Sequence, residues 1–216
     1  MSRWLVGSFV ITIAAWITWG AVFMNGPVFP EKMPIHWDIN MQPDGWAPGS
    51  TAAWWLMLFP ATITILTGLC VLLPKLAPGS LHDDSTRSRF DFALFALNLF
   101  ALILAVLVFI GMQSGDLPVR WFLANLFLLF GALGWSMIGL KPNPWIGVRL
   151  PWTTNNEAVW NRTHAFTAQV WIATAAFGVG AIIAGAPPLA CLVGFFIAVF
   201  TPIVASAFFA LAARRN

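Results

Sequence analysis

Most of the side chains that could do specific chemistry lie in two polar segments, 34–46 and 146–164, which separate long apolar runs. The candidates in the first segment are His36, Asp38, Asn40, Asp44, Gly45 and Trp46. The candidates in the second segment are Gly147, Arg149, Pro151, Trp152, Thr153, Glu157, Trp160, Thr163 and His164. Histidines near carboxylates suit metal binding or proton transfer, and an arginine fork suits a carboxylate or a phosphate.

Neither segment has a recognisable metal-binding or nucleophilic pattern. Zinc takes three or four His, Cys or carboxylate ligands, and neither His36 with Asp38 nor His82 with His164 has a spacing such as HExxH. A nucleophile also needs a Ser or Cys beside a base, and the His36 segment has none before Ser50. We therefore predict no metal, no cofactor and no enzymatic activity. A metal-dependent membrane enzyme or small-molecule permease that uses either of those two pairs is the open alternative.

The composition shows what must position these segments. Of the 216 residues, 59% are hydrophobic and only 9% are charged, and an apolar run of about 18 residues or more can cross a bilayer as a helix. Runs of this kind cover 4–24, 52–73, 92–112, 119–140, 167–185 and 189–212. The sequence predicts an all-α integral membrane protein, one membrane domain over 1–216 built as a six-transmembrane helix bundle.

The basic residues predict which side of the membrane each loop faces. With six spans, nine of the eleven lysines and arginines lie on the side of the two termini, and Lys32 and Arg120 lie on the other. Cytoplasmic loops carry the excess of Lys and Arg. Both termini and the Arg149 segment are therefore predicted to be cytoplasmic, and the His36 segment to be outside. No tract of basic and aromatic residues indicates direct binding of nucleic acid.

Polar residues inside the predicted spans are few. The main ones are Asn98, Asn125 and Gln169, and such side chains usually form hydrogen bonds between transmembrane helices. The predicted span interiors contain essentially no charged residue, whereas ion-coupled carriers commonly place charges there. An ion-coupled carrier is therefore disfavoured.

Local patterns predict short extended segments in both polar loops. Apolar and polar side chains alternate over 35–40, which predicts a half-buried strand with His36, Asp38 and Asn40 on one face. Residues 42–45, Gln-Pro-Asp-Gly, then predict a tight turn. Alternation over 146–152 predicts a second extended segment.

A helix is predicted to follow this second segment. Thr154 and Glu157 have the spacing of a capping box, and a helix that starts there places Trp160 and His164 on one face. Arg149 either ties this loop to Glu157 or to helix ends, or binds a carboxylate of the protein, a lipid phosphate or a partner. The sequence leaves both interpretations open.

Both polar segments resemble the SdpI family of bacterial membrane proteins. Residues 34–46 are similar to the family's Pro-x-His and Pro-Asp-Gly-Trp loop, with Met41 in place of the usual Gly. Residues 147–153 are similar to its Gly-Ile-Arg-x-Pro-Trp-Thr motif, followed here by Glu157, Trp160 and Thr163-His164. Ala165 stands where the family often has a basic residue.

This resemblance implies a function and partners. It implies a protein of the bacterial inner (cytoplasmic) membrane that confers immunity to a membrane-active peptide toxin bound outside. It also implies, as in the best-known members, that a small DNA-binding repressor is tethered at the cytoplasmic surface. The first segment would then bind the peptide, and the second would bind the partner or lock the state of the helix bundle.

Overall fold

The computed structural model describes residues 2–24, 29–38, 42–76, 81 and 83–214. The helices are α1 (Arg3–Met24), α2 (Ala52–Leu56), α3 (Leu58–Leu76), α4 (Asp84–Ser114), α5 (Val119–Met137), α6 (Pro151–Thr154), α7 (Glu157–Ile183) and α8 (Pro188–Ala213). The strands are β1 (Lys32–Trp37) and β2 (Pro43–Pro48). Of the candidate residues, Asn40 and His82 lie outside the described ranges.

Among the residues that the structure describes, six helical segments are long and apolar enough to cross a membrane, which confirms the predicted number of spans. α4 and α7 begin earlier than the predicted spans because polar residues cap their N-termini. Asp83 Oδ2 accepts a hydrogen bond from the Thr86 amide at 3.1 Å, and Asn156 Oδ1 accepts one from the Val159 amide at 3.1 Å. Both helices therefore extend beyond their apolar portions into polar sequence.

The six long helices pack as two groups of three. Leu5 of α1, Cys70 of α3 and Phe90 of α4 belong to one buried cluster of the first group. Phe127 of α5 and Phe195 of α8 belong to the buried core of the second group, formed by α5, α7 and α8. Contacts between α4 and α5 join the two groups.

The hairpin (Lys32–Pro48) departs from its predicted shape. Lys32 lies opposite Pro48 and Trp37 opposite Pro43. An extra residue on each strand, Ile35 and then Asp44, breaks the alternation as a bulge. Ile35, predicted to face the membrane or the helix bundle, is 37% exposed.

The tight turn predicted over 42–45 is wrong, because Pro43 to Gly45 lie within β2. Before β2, the Asp38 amide donates to the Gln42 carbonyl at 2.9 Å. Pro43 has no amide hydrogen, and proline is tolerated where a strand has a free edge. A two-stranded hairpin offers that edge.

The loop over 140–156 (the 140–156 loop) contains no strand in the part of the chain that the structure describes, so a strand over 146–152 is wrong. Asn143 Oδ1 instead accepts hydrogen bonds from the amides of Trp145 and Ile146, both at 2.9 Å. Pro151 then starts the short helix α6. The predicted capping box is also wrong, since Asn156 rather than Thr154 caps α7.

Two of the three polar span residues join helices as predicted. Asn98 Nδ2 of α4 donates to Thr67 Oγ1 of α3 at 2.9 Å, and Asn125 Nδ2 of α5 donates to the Phe100 carbonyl of α4 at 3.1 Å. Gln169 is exposed on α7. α4 also contains Asp91, which is 1% exposed and lies just before the predicted third span.

Candidate functional site

The exposed face of the hairpin carries a histidine–carboxylate pair. His36 Nδ1 lies 2.5 Å from Asp44 Oδ1, across the two strands. Both side chains are largely exposed. Asp38, which the alternative interpretation uses together with His36, accepts a hydrogen bond at Oδ1 from the Gln42 amide at 2.8 Å. The bulge that adds Asp44 to β2 makes the cross-strand pair possible.

Gly45 and Trp46 complete this exposed face. A Cβ atom on Gly45 would lie 2.8 Å from the Cβ of His36, so only glycine fits opposite that histidine. Trp46 is 54% exposed. A hydrogen-bonded histidine–carboxylate pair beside an exposed indole offers both polar and apolar contacts, a combination suited to a peptide or protein partner.

The opposite face of the hairpin rests on the C-terminal end of α4. Trp37 Nε1 donates to the Gly115 carbonyl at 3.3 Å, and Met33, which is 1% exposed, packs in one cluster with Met112 of α4. The hairpin therefore cannot shift without disturbing this end of the helix.

A buried histidine organises the 140–156 loop at the other end of the bundle. His164 Nδ1 lies 2.7 Å from the Trp160 carbonyl, and Nε2 accepts a hydrogen bond from the Val148 amide at 2.9 Å. A carbonyl oxygen only accepts, so Nδ1 carries the proton and the ring is neutral. The ring also stacks on Trp160, with centroids 4.0 Å apart.

His164 restricts which residue can occupy position 147. Its φ is +123°, a conformation that L side chains rarely adopt. A Cβ atom there would overlap His164 Nε2 and lie 3.0 Å from the Trp160 ring. The motif glycine is therefore explained by backbone geometry and by the close approach of the ring.

Thr153 and Trp160 close the same loop on itself. Thr153 Oγ1 accepts from the Leu150 amide at 2.9 Å and lies 2.7 Å from the Val148 carbonyl. Trp160 Nε1 donates to the Leu140 carbonyl at 2.7 Å. Thr163 is fully buried beside His164. Gly147, Thr153, Trp160 and His164 together hold the loop in one shape.

The remaining motif residues face outward. Pro151, Arg149 and Glu157 are exposed, and within the described ranges neither charged group forms an ion pair. Arg149 therefore does not tie the loop to Glu157. Trp152, 37% exposed, fixes α6 to α8 through a 3.0 Å bond from Nε1 to Ser206 Oγ.

The N-terminal end of α4 contacts this loop. Lys141 Nζ lies 3.3 Å from Asp83 Oδ1. Trp145 and Ile146 pack on the cluster that contains Phe90. Ile146 also packs on the separate cluster of Leu140 and Trp160, so it bridges the two helix groups.

Asp91, which is not among the predicted site residues, forms a buried polar cluster at the N-terminal part of α4. Ser2 Oγ donates to its Oδ2 at 2.5 Å, and Arg87 Nε donates to its Oδ1 at 3.0 Å. Arg87 also donates to the Cys70 carbonyl of α3 at 3.1 Å. The spacing of Arg87 and Asp91, one helical turn apart at the start of an apolar run, could have indicated this pair.

The geometry gives the metal alternative little support. No group of three or more His, Cys, Asp or Glu side chains converges among the residues that the structure describes. Both ring nitrogens of His164 are already engaged. The His82–His164 pair is untested, since His82 lies outside the described ranges.

Comparisons with known protein families match two separate parts of the chain. Residues 139–211, which include the 140–156 loop, α6, α7 and most of α8, match the SdpI/YfhL protein family. Residues 5–64, which include most of α1, the hairpin and the start of α3, match a domain of unknown function, DUF1648. No curated protein and no solved structure matches the chain.

Proposed function

We propose that this chain, whose residues 139–211 belong to the SdpI/YfhL family, is an immunity and sensor protein of the bacterial inner membrane. It confers resistance to a membrane-active peptide toxin that binds the exposed face of the hairpin. The membrane character of the chain rests on six helices long and apolar enough to span a bilayer. The excess of basic residues on the side of the 140–156 loop supports a cytoplasmic position for that loop.

The observation that carries this proposal is the position of α4. This helix has 31 residues, a length of about 46 Å at 1.5 Å per residue. Its C-terminal end holds Trp37 of the hairpin, and its N-terminal end packs on Ile146 of the 140–156 loop. One continuous helix thus links the two polar loops, which about 30 Å of hydrocarbon would otherwise separate.

The two loops are assigned different roles because their candidate side chains differ in solvent exposure. His36, Asp44 and Trp46 present free surface for a peptide. The 140–156 loop, by contrast, is held by contacts of Gly147, Thr153, Trp160 and His164, and its conformation depends on how Ile146 packs. A small shift of α4 would therefore favour another conformation of this loop, because packed elements switch between discrete arrangements.

Expression in a strain killed by the peptide tests the immunity role. We expect the unmodified chain to restore growth, and Asp44→Asn or His36→Ala to reduce protection because the exposed pair is lost. Asp116→Asn, which removes a charge from the α4–α5 turn at the same end, is the matched control and should protect normally. Killing that is unchanged by the chain for every cognate peptide tried, despite normal expression, would contradict the proposal.

Sequestration of a small DNA-binding repressor is the second part of the proposal. The partner would contact the outward-facing Arg149, Pro151, Trp152 and Glu157. We expect such a repressor, encoded beside this gene, to move to the membrane fraction when the chain is present. Arg149→Gln should return it to the soluble fraction, whereas Arg162→Gln, an exposed arginine on α7, should not. Equal retention by both variants would exclude Arg149 as a contact.

A further inference from the structure

A groove of about 570 Å³ lies between α4, α5 and α7, at the hairpin end of the bundle. Its walls are mostly apolar, with Leu107 from α4, Leu128 from α5 and Val179 from α7. Arg120, in the first turn of α5, lies at the mouth of the groove beside Trp121. Both side chains are exposed, and Trp121 is 67% exposed.

The guanidinium of Arg120 keeps donors available. Its Nη1 donates to the carbonyls of Ile182 and Ala186 at 3.3 and 3.4 Å, and its Nη2 donates to the Gly185 carbonyl at 3.5 Å. These are long bonds, and a guanidinium has five N–H donors. Within the described residues, the Nε hydrogen and one Nη2 hydrogen have no acceptor. Two donors on one planar fork suit a phosphate oxygen pair.

The polar groups of the groove follow the depth profile of a phospholipid. Asn125 also lines the groove, five residues after Arg120 and therefore about 7.5 Å deeper along the helix. Leu128 lies deeper still, at the level where the lining is hydrocarbon. The exposed Trp121 is beside Arg120, and indole rings prefer the headgroup level of a membrane.

We propose that this groove binds an anionic phospholipid, with its phosphate on Arg120 and one acyl chain along the apolar walls. The groove lies between three helices that are long and apolar enough to span a bilayer, so a lipid acyl chain can occupy its apolar part. The charge of Arg120 selects the anionic headgroup. Glu31, Asp44 and Asp116 lie at the same end of the bundle and would repel anionic lipids. We therefore expect the preference for anionic lipid only at the Arg120 site.

Quenching of Trp121 by brominated lipids tests this site. The full chain is reconstituted in phosphatidylcholine vesicles that contain a fixed minor fraction of either brominated phosphatidylglycerol or brominated phosphatidylcholine. The Trp121 signal is obtained as the difference from Trp121→Phe. We expect phosphatidylglycerol to associate about fivefold more strongly, the effect of one arginine near an anionic headgroup.

Variants and salt then separate the charge from the groove. Arg120→Gln should abolish the preference, Arg120→Lys should retain most of it, and Arg162→Gln at the opposite end of α7 should leave it unchanged. Raising the ionic strength with the unmodified chain should weaken the preference without any substitution, which keeps the test valid if Arg120→Gln misfolds. Equal quenching by the two brominated lipids, or a preference that survives in Arg120→Gln, would overturn the proposal.

Discussion

At the scale of single residues, the contacts of His164 explain several of the residue types found in the 140–156 loop. Its neutral ring accepts from the Val148 amide and donates to the Trp160 carbonyl. That arrangement leaves space for glycine alone at position 147. A motif that could have marked a binding site therefore contains several residues whose first role is to hold the loop.

Gly147→Ala tests this interpretation. The substitution places a methyl group against His164 and Trp160 at a φ of +123°. We expect a loss of about 1–3 kcal/mol in the free energy of unfolding, the usual cost of backbone strain and overpacking. The measurement is reversible unfolding of the purified chain in mixed micelles.

Gly180→Ala is the matched control, since a Cβ atom at that position in α7 meets no atom within 4 Å. It should leave stability unchanged or raise it slightly, because alanine favours a helix over glycine. Equal stability of Gly147→Ala and the unmodified chain would show that the loop adapts to the side chain.

The residue scale also shows where sequence reasoning failed. The alternative interpretation pairs His36 with Asp38, but the bulge that adds Asp44 to β2 places that carboxylate beside His36 instead. The predicted turn uses Gly45 as a turn residue, whereas Gly45 leaves the space that His36 needs on the opposite strand. Bulges depend on pairing between strands, so alternation within one strand could not reveal them.

At the scale of elements, the helix caps decide where α4 and α7 begin. Hydropathy correctly predicted six spans because a bilayer needs about 20 apolar residues per helix. The apolar runs begin later than α4 and α7 do, because Asp83 and Asn156 cap polar first turns. Asp91 lies in the polar part of α4, just before the predicted third span.

The cap of α4 predicts a pH dependence. The Thr86 amide, and then Lys141, hold the pKa of Asp83 below its usual value. The ionised cap therefore stabilises the helix start fully above the ordinary aspartate pKa of about 3.9. This contribution is lost as the pH falls through the lowered pKa of the folded state.

Hydrogen exchange at the Thr86 and Arg87 amides measures this effect. Relative to intrinsic rates, protection should stay constant at neutral pH and fall only in the strongly acidic range. Asp83→Ala should show low protection at all pH values, whereas Asp83→Asn should keep part of it because asparagine also caps helices. A loss of protection near pH 6 in the unmodified chain would contradict this assignment.

At the scale of the whole molecule, the two polar loops lie at opposite ends of a bundle whose halves meet through α4 and α5. The hairpin contacts one end of α4, and Ile146 and Lys141 contact the other. The sequence could place the loops apart, but only the packing shows which helix connects them. A sensor needs such a connection, whereas a single catalytic site does not.

The central claim is that α4 transmits changes at the hairpin to the 140–156 loop. Its most direct test is hydrogen exchange at the Val148 and Leu150 amides in the chain carrying Trp37→Ala, with Trp46→Ala as the exposed control from the same hairpin. We predict exchange about fivefold faster or more in Trp37→Ala and unchanged exchange in Trp46→Ala. Faster exchange confined to the hairpin of Trp37→Ala, with the amides of the 140–156 loop unaltered, would contradict the account.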